Sequence, residues 1–340
     1  MSKYLIFLFF LILFACAPKE LSKQSVQGMA FGTTFQVQYI GEEVAQLSGQ
    51  IDSVINVVNR SMSTYIPDSD ISKINQGDSL LQVDRMFKEV YAISEQVHRQ
   101  SEGYFDPTIG VLRNAYGFGS DTPLARLDSL VIDSLMQYVG FDKVSLDNQG
   151  RIHKEDPAIY FDFNAVAKGY GIDRIALVLD DHGIENYLIE LGGELVGKGT
   201  NTIKGQAWIV GIEAVDSSLG DRSFQATLAL TDAAMASSGN YRKFRIDSLS
   251  GKRYVHTLNP LTGQAEASNL TSATVIAESC AAADAYATAF MAMGLERSKG
   301  LLAELDGVEA YLTYAQGELD KVFATPGFEA LIQRSSADRE

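Results

Sequence analysis

Apolar and polar positions along the chain predict a succession of strands and amphipathic helices. Side chains alternate between apolar and polar over Met29–Tyr39, which predicts one half-buried strand. Apolar residues recur at a spacing near 3.6 in four segments, which predicts helices. These segments are Val44–Arg60, Met86–Arg99, Ala165–Leu179 and Ser279–Met293. Further strands are predicted at Tyr187–Ile189, Ala207–Ile212, Ser223–Leu230 and Ser272–Ala277.

The order of these elements favours an α+β fold. Strands and helices are interspersed without regular β-α-β alternation, and no repeat of about 20–50 residues is found. We therefore expect mixed sheets flanked by helices, built as a single unit over residues 28–335. A chain of 340 residues with 46% apolar and 21% charged residues can bury a large core, which excludes disordered and fibrous classes.

Charge narrows the ligands that the chain can bind. Lys and Arg number 28 against 43 Asp and Glu, for a formal net charge of −15. No nucleic-acid partner is expected, because sequence-independent binding to phosphates needs a positive surface. A phosphate-bearing ligand must be held locally, by backbone amides, a few basic side chains or a cation.

The N-terminus predicts export and lipid anchoring. Residues 1–15 carry one Lys and a short apolar stretch, as in a secretory signal peptide. Leu13-Phe14-Ala15-Cys16 resembles the lipobox of bacterial lipoproteins, in which the cysteine is lipidated. Residues 16–27 then form a polar tether. A plain cleaved signal or a buried N-terminal strand is the alternative. With Cys16 lipidated, Cys280 has no intramolecular partner, so no structural disulfide is expected.

The predicted helix Ser279–Met293 carries a candidate metal site. Asp284 and Thr288 are four residues apart, so both side chains lie on one face of the helix. A carboxylate in so apolar a helix needs a partner, and Mg²⁺ takes oxygen ligands of this kind. A surface Asp beside a Thr that bonds back to its own helix is the alternative.

A second candidate site lies where a strand meets a helix. The segment 162–173 reads DFNAVAKGYGID, with Asn164 as a plausible N-cap and Lys168 in the first helical turn. Free amides and partial positive charge at a helix N-terminus attract anions, to which Lys168 adds a full charge. An ordinary strand-to-helix connection explains the same residues.

Two turns and one histidine are further candidates. Gly192-Gly193 and Ser237-Ser238-Gly239 would let a ligand approach the backbone, or are simply tight bends. His256, at the end of a strand, is either a general base or a structural histidine. Cys280 has no basic neighbour in sequence and is expected to be a buried, inert thiol.

Eight blocks, in order, resemble the ApbE family of FAD:protein FMN transferases. They are FGTTFQVQY at 31, MSTYIPDSDISKIN at 62, GYFDPTIG at 103, DFNAVAKGYGID at 162, LIELGGELVGKG at 188, SSGNYRKF at 237, HTLNPLTG at 256 and ADAYATAFMAMG at 283. The resemblance covers nearly the whole chain after the signal peptide. It implies an ApbE-like fold, with the FAD cleft between two closely packed halves.

The resemblance also implies roles for individual residues. Asp284, Thr288 and the main-chain oxygen of Ala165 correspond to the Mg²⁺ ligands, and His256 to a base for the acceptor hydroxyl. The residues that line the FAD site correspond to Phe31, Tyr65, Asp106, Pro107, Thr108, Asp162, Lys168 and Leu258. Many relatives have Met at the position of Phe31 and Gly-Gly where this chain has Asn164-Ala165.

The activity implied is Mg²⁺-dependent transfer of the FMN moiety of FAD to a Ser or Thr hydroxyl of an acceptor protein, releasing AMP. The implied acceptors carry a motif like Asp-Gly-x-Ser/Thr-Gly-x-Ser/Thr, in redox pump subunits or secreted flavin-dependent reductases. The expected location is the bacterial cell envelope, on a membrane and facing the periplasm. The alternatives are an Mg²⁺-dependent FAD pyrophosphatase, giving FMN and AMP, and a non-catalytic flavin-binding lipoprotein.

Overall fold

The computed structural model describes residues 21–120, 122–124, 126–214, 223–240, 244–246, 253–265, 268–317 and 319–335. The predicted signal peptide and Cys16 lie outside these residues, as do residues 241–243 of the SSGNYRKF block. No helix in the described ranges is long and apolar enough to span a membrane.

Most of the described chain packs around one large antiparallel sheet. Its helices are α1 (Leu47–Met62), α2 (Asp70–Asn75), α3 (Arg85–Gln100), α4 (Gly110–Tyr116), α5 (Ser129–Met136), α6 (Ala167–Asp181), α7 (Cys280–Met293), α8 (Leu295–Leu302) and α9 (Pro326–Glu329). A short 3₁₀ turn covers Phe141–Lys143. The predicted helices that correspond to α1, α3, α6 and α7 are confirmed, with ends that differ by at most three residues.

The strands in the described part of the chain form one eight-stranded sheet and three small ones. They are β1 (Ser22–Ala30), β2 (Thr33–Gly41), β3 (Val144–Leu146), β4 (Ile152–Lys154), β5 (Tyr187–Leu191), β6 (Glu194–Lys198), β7 (Trp208–Glu213), β8 (Phe224–Leu230), β9 (Ala233–Gly239), β10 (Phe244–Ile246), β11 (Arg253–Val255), β12 (Leu270–Ala277), β13 (Glu309–Gln316), β14 (Leu319–Ala324) and β15 (Ile332–Ser335). The large sheet has the order β1-β2-β5-β6-β9-β12-β13-β14, and β15-β8-β7 form a second sheet. The α+β prediction is confirmed.

The first hairpin corrects two boundaries from the sequence analysis. Met29–Tyr39 is two strands rather than one, because Phe31 and Gly32 form a tight turn in which both φ angles are positive, at 49° and 78°. Strand β1 begins at Ser22, which pairs with Gly41. Residues 22–27 of the predicted tether are therefore part of the sheet, where their polar side chains occupy an edge strand.

Helices α6 and α7 pack closely beside the sheet and bring distant segments together. Small residues allow this approach: a Cβ on Gly169 of α6 would lie 2.3 Å from the carbonyl oxygen of Cys280 at the start of α7. The apolar side chains of α7 are buried on most sides, as its Ala-rich sequence predicts. The two helices therefore carry their polar residues to one common place beside the sheet.

Candidate active site

A large cavity collects almost every residue that the sequence analysis selected. Its volume is about 1180 Å³, above the roughly 300–1,000 Å³ of typical small-molecule sites. The selected residues that line it are Phe31, Tyr65, Asp106, Pro107, Asp162, Ala165, Lys168, His256, Leu258, Asp284 and Thr288. The cavity thus has room for a dinucleotide-sized ligand and draws its walls from most of the chain.

Asp284 and Thr288 extend from α7 into this cavity. Ser279 caps the helix, its Oγ accepting a hydrogen bond from the Ala282 amide at 3.2 Å. Asp284 is only 6% exposed, so the alternative of a surface carboxylate is wrong. Its Oδ2 accepts a hydrogen bond from the Gly169 amide at 3.2 Å. A buried carboxylate and a half-buried hydroxyl, one helical turn apart, therefore line the same cavity.

The main chain before α6 supplies a third oxygen. In a continuous helix the Gly169 amide would donate to the carbonyl of Ala165, but it donates to Asp284 instead. Among the described residues, no backbone amide outside the regular helices and strands donates a hydrogen bond to the carbonyl of Ala165. Helix α6 begins only at Ala167, so the carbonyl of Ala165 is outside the helical ladder, and Ala165 is one of the residues that line the cavity.

Asn164 is not the helix cap that its sequence position predicts. Val166 occupies the N-cap position and its side chain makes no cap hydrogen bond. The backbone amide of Asn164 instead donates a hydrogen bond to Asp162 Oδ1 at 2.7 Å, which shapes the turn before the helix. Asp162 also forms an ion pair with Arg113, whose Nε lies 3.2 Å from Oδ2.

Lys168 forms an ion pair with a buried carboxylate, which the sequence analysis missed. Its Nζ donates to Oε1 of Glu194, which is 2% exposed and begins β6 after Gly192-Gly193. The pKa of Glu194 is raised to about 7, and burial is the largest cause. The charge of Lys168 lowers this pKa, and the charge of Asp284 raises it. Burial lowers the pKa of Lys168, but Asp284 and Glu194 together raise it above its ordinary value. The sequence signal that could have indicated this partner is Glu194 itself, a charged residue that follows two glycines within an otherwise apolar segment.

Asp106 is another buried carboxylate, and it is held by a network of donors. Its Oδ1 accepts from the amide and hydroxyl of Thr108 at 2.7 and 2.6 Å, and its Oδ2 accepts from the Phe141 amide at 3.0 Å. Burial raises the pKa of Asp106, while these hydrogen bonds lower it. Thr108 is fully buried behind the cavity wall and also accepts from the Gly140 amide at 2.8 Å. Its position supports Asp106 rather than lining the cavity.

Two aromatic residues border the cavity in different ways. The ring of Phe31 lies so close to α6 that a Cβ on Gly171 would be 2.4 Å from it. Tyr65 is 58% exposed, in the segment between α1 and α2. Phe31 is therefore packed against α6 in the wall, whereas the side chain of Tyr65 lies largely in solvent at the cavity.

His256 and Leu258 line the cavity just after β11. His256 is half-buried and Leu258 is 6% exposed.

Cys280 is fully buried, its Sγ donates to the carbonyl of Met235 at 3.7 Å, and burial raises the pKa of its thiol well above its ordinary value. The prediction of an inert thiol agrees with this environment.

The donors fit a hard divalent cation better than a transition metal. Within the described ranges, no group of three or more His, Cys, Asp and Glu side chains could hold a metal ion. Asp284, Thr288 and Ala165 offer a carboxylate, a hydroxyl and a carbonyl in one cavity. Mg²⁺ is commonly held by one or two carboxylates plus substrate phosphates, so this incomplete set suits it.

Comparison with known proteins identifies the family of this chain. A family model described as the ApbE family matches residues 31–312. The chain belongs to the ApbE family. A relative of this ApbE-family chain, the FAD:protein FMN transferase of Vibrio cholerae, is 32% identical over 98% of this chain and 100% of its own length. The FAD:protein FMN transferase of Haemophilus influenzae is 31% identical over 88% of each chain.

Solved structures of ApbE proteins have the same fold as this chain. The flavin transferase ApbE from Vibrio cholerae matches with a TM-score of 0.82 and 31% identity, covering 92% of this chain and all of its own. The apo form of the Pseudomonas stutzeri flavinyl transferase ApbE matches with a TM-score of 0.80 and 29% identity, covering 93% and 98%. The fold expected from the resemblance is therefore confirmed.

Proposed function

We propose that this chain transfers the FMN moiety of FAD to a Ser or Thr hydroxyl of an acceptor protein and releases AMP, with Mg²⁺ as cofactor. The observation that carries this proposal is the convergence of Asp284, Thr288, Ala165 and Lys168 on one dinucleotide-sized cavity in an ApbE-family fold. The relatives named above as FAD:protein FMN transferases support the same activity.

The Asp284 carboxylate, the Thr288 hydroxyl and the Ala165 carbonyl would hold Mg²⁺, which when bound neutralises charge on the FAD pyrophosphate. Lys168 places its ammonium at the same wall, where Glu194 holds it. The carboxylates that line the cavity would otherwise repel an anionic substrate. A cation is therefore more necessary here than in a basic site.

The transfer step needs a proton acceptor beside the attacking hydroxyl. His256 lines the cavity, and a neutral imidazole can accept a proton near neutral pH. As His256 takes the proton, the acceptor oxygen bonds to the phosphorus of the FMN half and the bond from that phosphorus to the AMP oxygen breaks. The products are a phosphodiester-linked flavin and AMP, and the proton on His256 returns to solvent.

Whether water is excluded from the cavity decides whether FMN is transferred to the acceptor or FAD is hydrolysed. Tyr65 is exposed at the cavity and Phe31 packs against α6 in its wall, so each is placed where it could cover a bound flavin. If water reached the phosphorus instead of the acceptor hydroxyl, the products would be FMN and AMP, as in the pyrophosphatase alternative.

We further propose that the chain is anchored by lipid on Cys16 in the bacterial envelope and faces the periplasm. The lipobox-like Leu13-Phe14-Ala15-Cys16 supports this. The acceptors would then be proteins in the same compartment that carry the Asp-Gly-x-Ser/Thr-Gly-x-Ser/Thr pattern, such as subunits of redox pumps or secreted flavin-dependent reductases.

The direct test is mass spectrometry of an acceptor fragment that carries this pattern, after incubation with the protein, FAD and Mg²⁺. We expect a gain of one FMN group on a Ser or Thr, and no gain when Mg²⁺ is chelated. Release of FMN and AMP with an unmodified acceptor would favour the pyrophosphatase. Binding of unchanged FAD would favour a non-catalytic flavin carrier.

A further inference from the structure

The proposed cation site depends on how α6 and α7 are placed against each other. Asp284 and Thr288 belong to α7, whereas Ala165 lies just before α6. Distances between Mg²⁺ and its oxygen ligands are about 2.0–2.1 Å, with little tolerance in geometry. A small shift between the two helices would therefore separate the ligands.

Asp173, on α6, fastens the start of α7. Its Oδ1 accepts a hydrogen bond from the Cys280 amide, and its Oδ2 accepts one from the Ala281 amide, both at 2.9 Å. Amides in the first turn of a helix have no partner within that helix, and a carboxylate there also complements the helix dipole. One side chain of α6 therefore supplies two of the acceptors that α7 needs at its N-terminus.

A second contact lies one turn earlier on the same face of α6. Gly169, four residues before Asp173, donates its amide to Asp284 Oδ2. Its missing side chain lets α7 approach, since a Cβ would be 2.3 Å from the Cys280 oxygen. We call these five residues, Gly169, Asp173, Cys280, Ala281 and Asp284, the α6–α7 clamp.

We propose that Asp173 is a positioning residue that sets the distance between Asp284 and Ala165, and with it the affinity of the site for a divalent cation. Asp173 does not line the cavity, so it acts through α7 rather than by touching FAD. This inference rests on the proposed function, because it assigns the clamp to the cation site of that reaction.

The test replaces Asp173 without removing its shape. Asp173→Asn keeps one acceptor oxygen but turns an NH₂ group toward a backbone N–H, so one of the two hydrogen bonds is lost. We expect the affinity for Mn²⁺, followed by electron paramagnetic resonance, to fall about tenfold or more, as for other residues that orient metal ligands. The Mg²⁺ concentration for half-maximal transfer should rise by the same factor, with kcat at saturating Mg²⁺ close to that of the unchanged protein.

A matched control lies on the same helix. Asp180 also accepts two hydrogen bonds, from the Tyr187 hydroxyl at 3.0 Å and from Lys198 Nζ at 2.9 Å, but it lies outside the clamp. Asp180→Asn should leave the affinity for Mn²⁺ unchanged even if the protein becomes less stable to urea. If Asp173→Asn does not fold, Asp173→Glu keeps both acceptors and adds one methylene, which should also weaken Mn²⁺ binding.

Each result decides between the proposals. Affinity for Mn²⁺ equal to that of the unchanged protein in a folded Asp173 variant overturns the positioning role. An equal loss in the Asp180 variant reduces the effect to general stability and overturns it as well. If the unchanged protein binds Mn²⁺ but transfers no FMN, the proposed reaction fails while the positioning role stands. If it binds no Mn²⁺, the cation site and the positioning role both fail.

Discussion

Gly169 offers the sharpest test of the contact between α6 and α7. A Cβ at this position would lie 2.3 Å from the Cys280 oxygen, 2.6 Å from its carbonyl carbon and 2.8 Å from the Ala281 nitrogen. All three are backbone atoms, so no side chain can rotate away. The helices would have to separate by about 0.7 Å before the closest contact reached 3.0 Å, a limit below which Cβ contacts are essentially never seen.

Two opposing effects set the stability of Gly169→Ala. Overpacking a core costs about 1–3 kcal/mol, and Ala is favoured over Gly within a helix by about 1 kcal/mol. We therefore expect a net loss of up to about 2 kcal/mol in the free energy of unfolding. The larger effect should be on activity, because Asp284 would move away from Ala165, and a misplacement near 1 Å can cost about 10²-fold in rate.

The assay compares Gly169→Ala with Gly300→Ala, in urea unfolding and in FMN transfer. Gly300 lies in α8 with no atom within 4 Å of its would-be Cβ, so Ala there should stabilise the protein by about 0.5–1 kcal/mol and leave transfer unchanged. If Gly169→Ala instead matched Gly300→Ala in both stability and rate, the close approach of the two helices would be refuted.

Three further predictions address the cation, the charge pair and the anchor. Asp284→Ala should abolish Mg²⁺-dependent transfer in the mass-spectrometric assay, and full activity would contradict its role as a ligand. Glu194, with its pKa raised by burial from 4.5 to about 7, binds its proton more tightly when folded. Its contribution to stability is thus fully present below about pH 4.5 and lost as the pH rises through 7. Urea unfolding at pH 5 and pH 8 should show the unchanged protein losing up to about 3 kcal/mol relative to Glu194→Gln, and parallel behaviour of the two would argue against that pKa. Cys16→Ser should move the protein from the membrane to the soluble fraction with transfer in vitro intact; retention on the membrane would count against lipidation.

The spacing of apolar residues along the sequence predicted the helices that bury one face, or nearly every side chain, over many residues. Helices α1 and α3 have a clear apolar face, and α7 is apolar almost throughout, so their sequence patterns survive in the structure. The turn at Phe31 was missed because the alternation of Phe35–Tyr39 was extended back through residues 29–34, and because an aromatic residue seldom adopts a positive φ. Only pairing with the next strand reveals that the chain reverses there.

The candidate site was predicted mainly through the ordered blocks rather than through spacing. The pair Asp284 and Thr288 was visible as an i, i+4 pattern, yet its burial depends on packing against α6. The partners of Lys168 and Asp162, namely Glu194 and Arg113, lie 26 and 49 residues away in sequence. Such pairs are set by tertiary structure, and a single sequence does not show which charges meet.

The wide sequence separation of the cavity walls has a consequence for biosynthesis. Phe31 lies near the start of the body, whereas Asp284 and Thr288 come some 250 residues later, and all three border the same space. Contacts of such long range form late in folding, because a large loop must close first. A nascent chain that ends before α7 therefore lacks the wall of the cavity that carries Asp284 and Thr288. The cavity can then become complete only when synthesis has passed this helix.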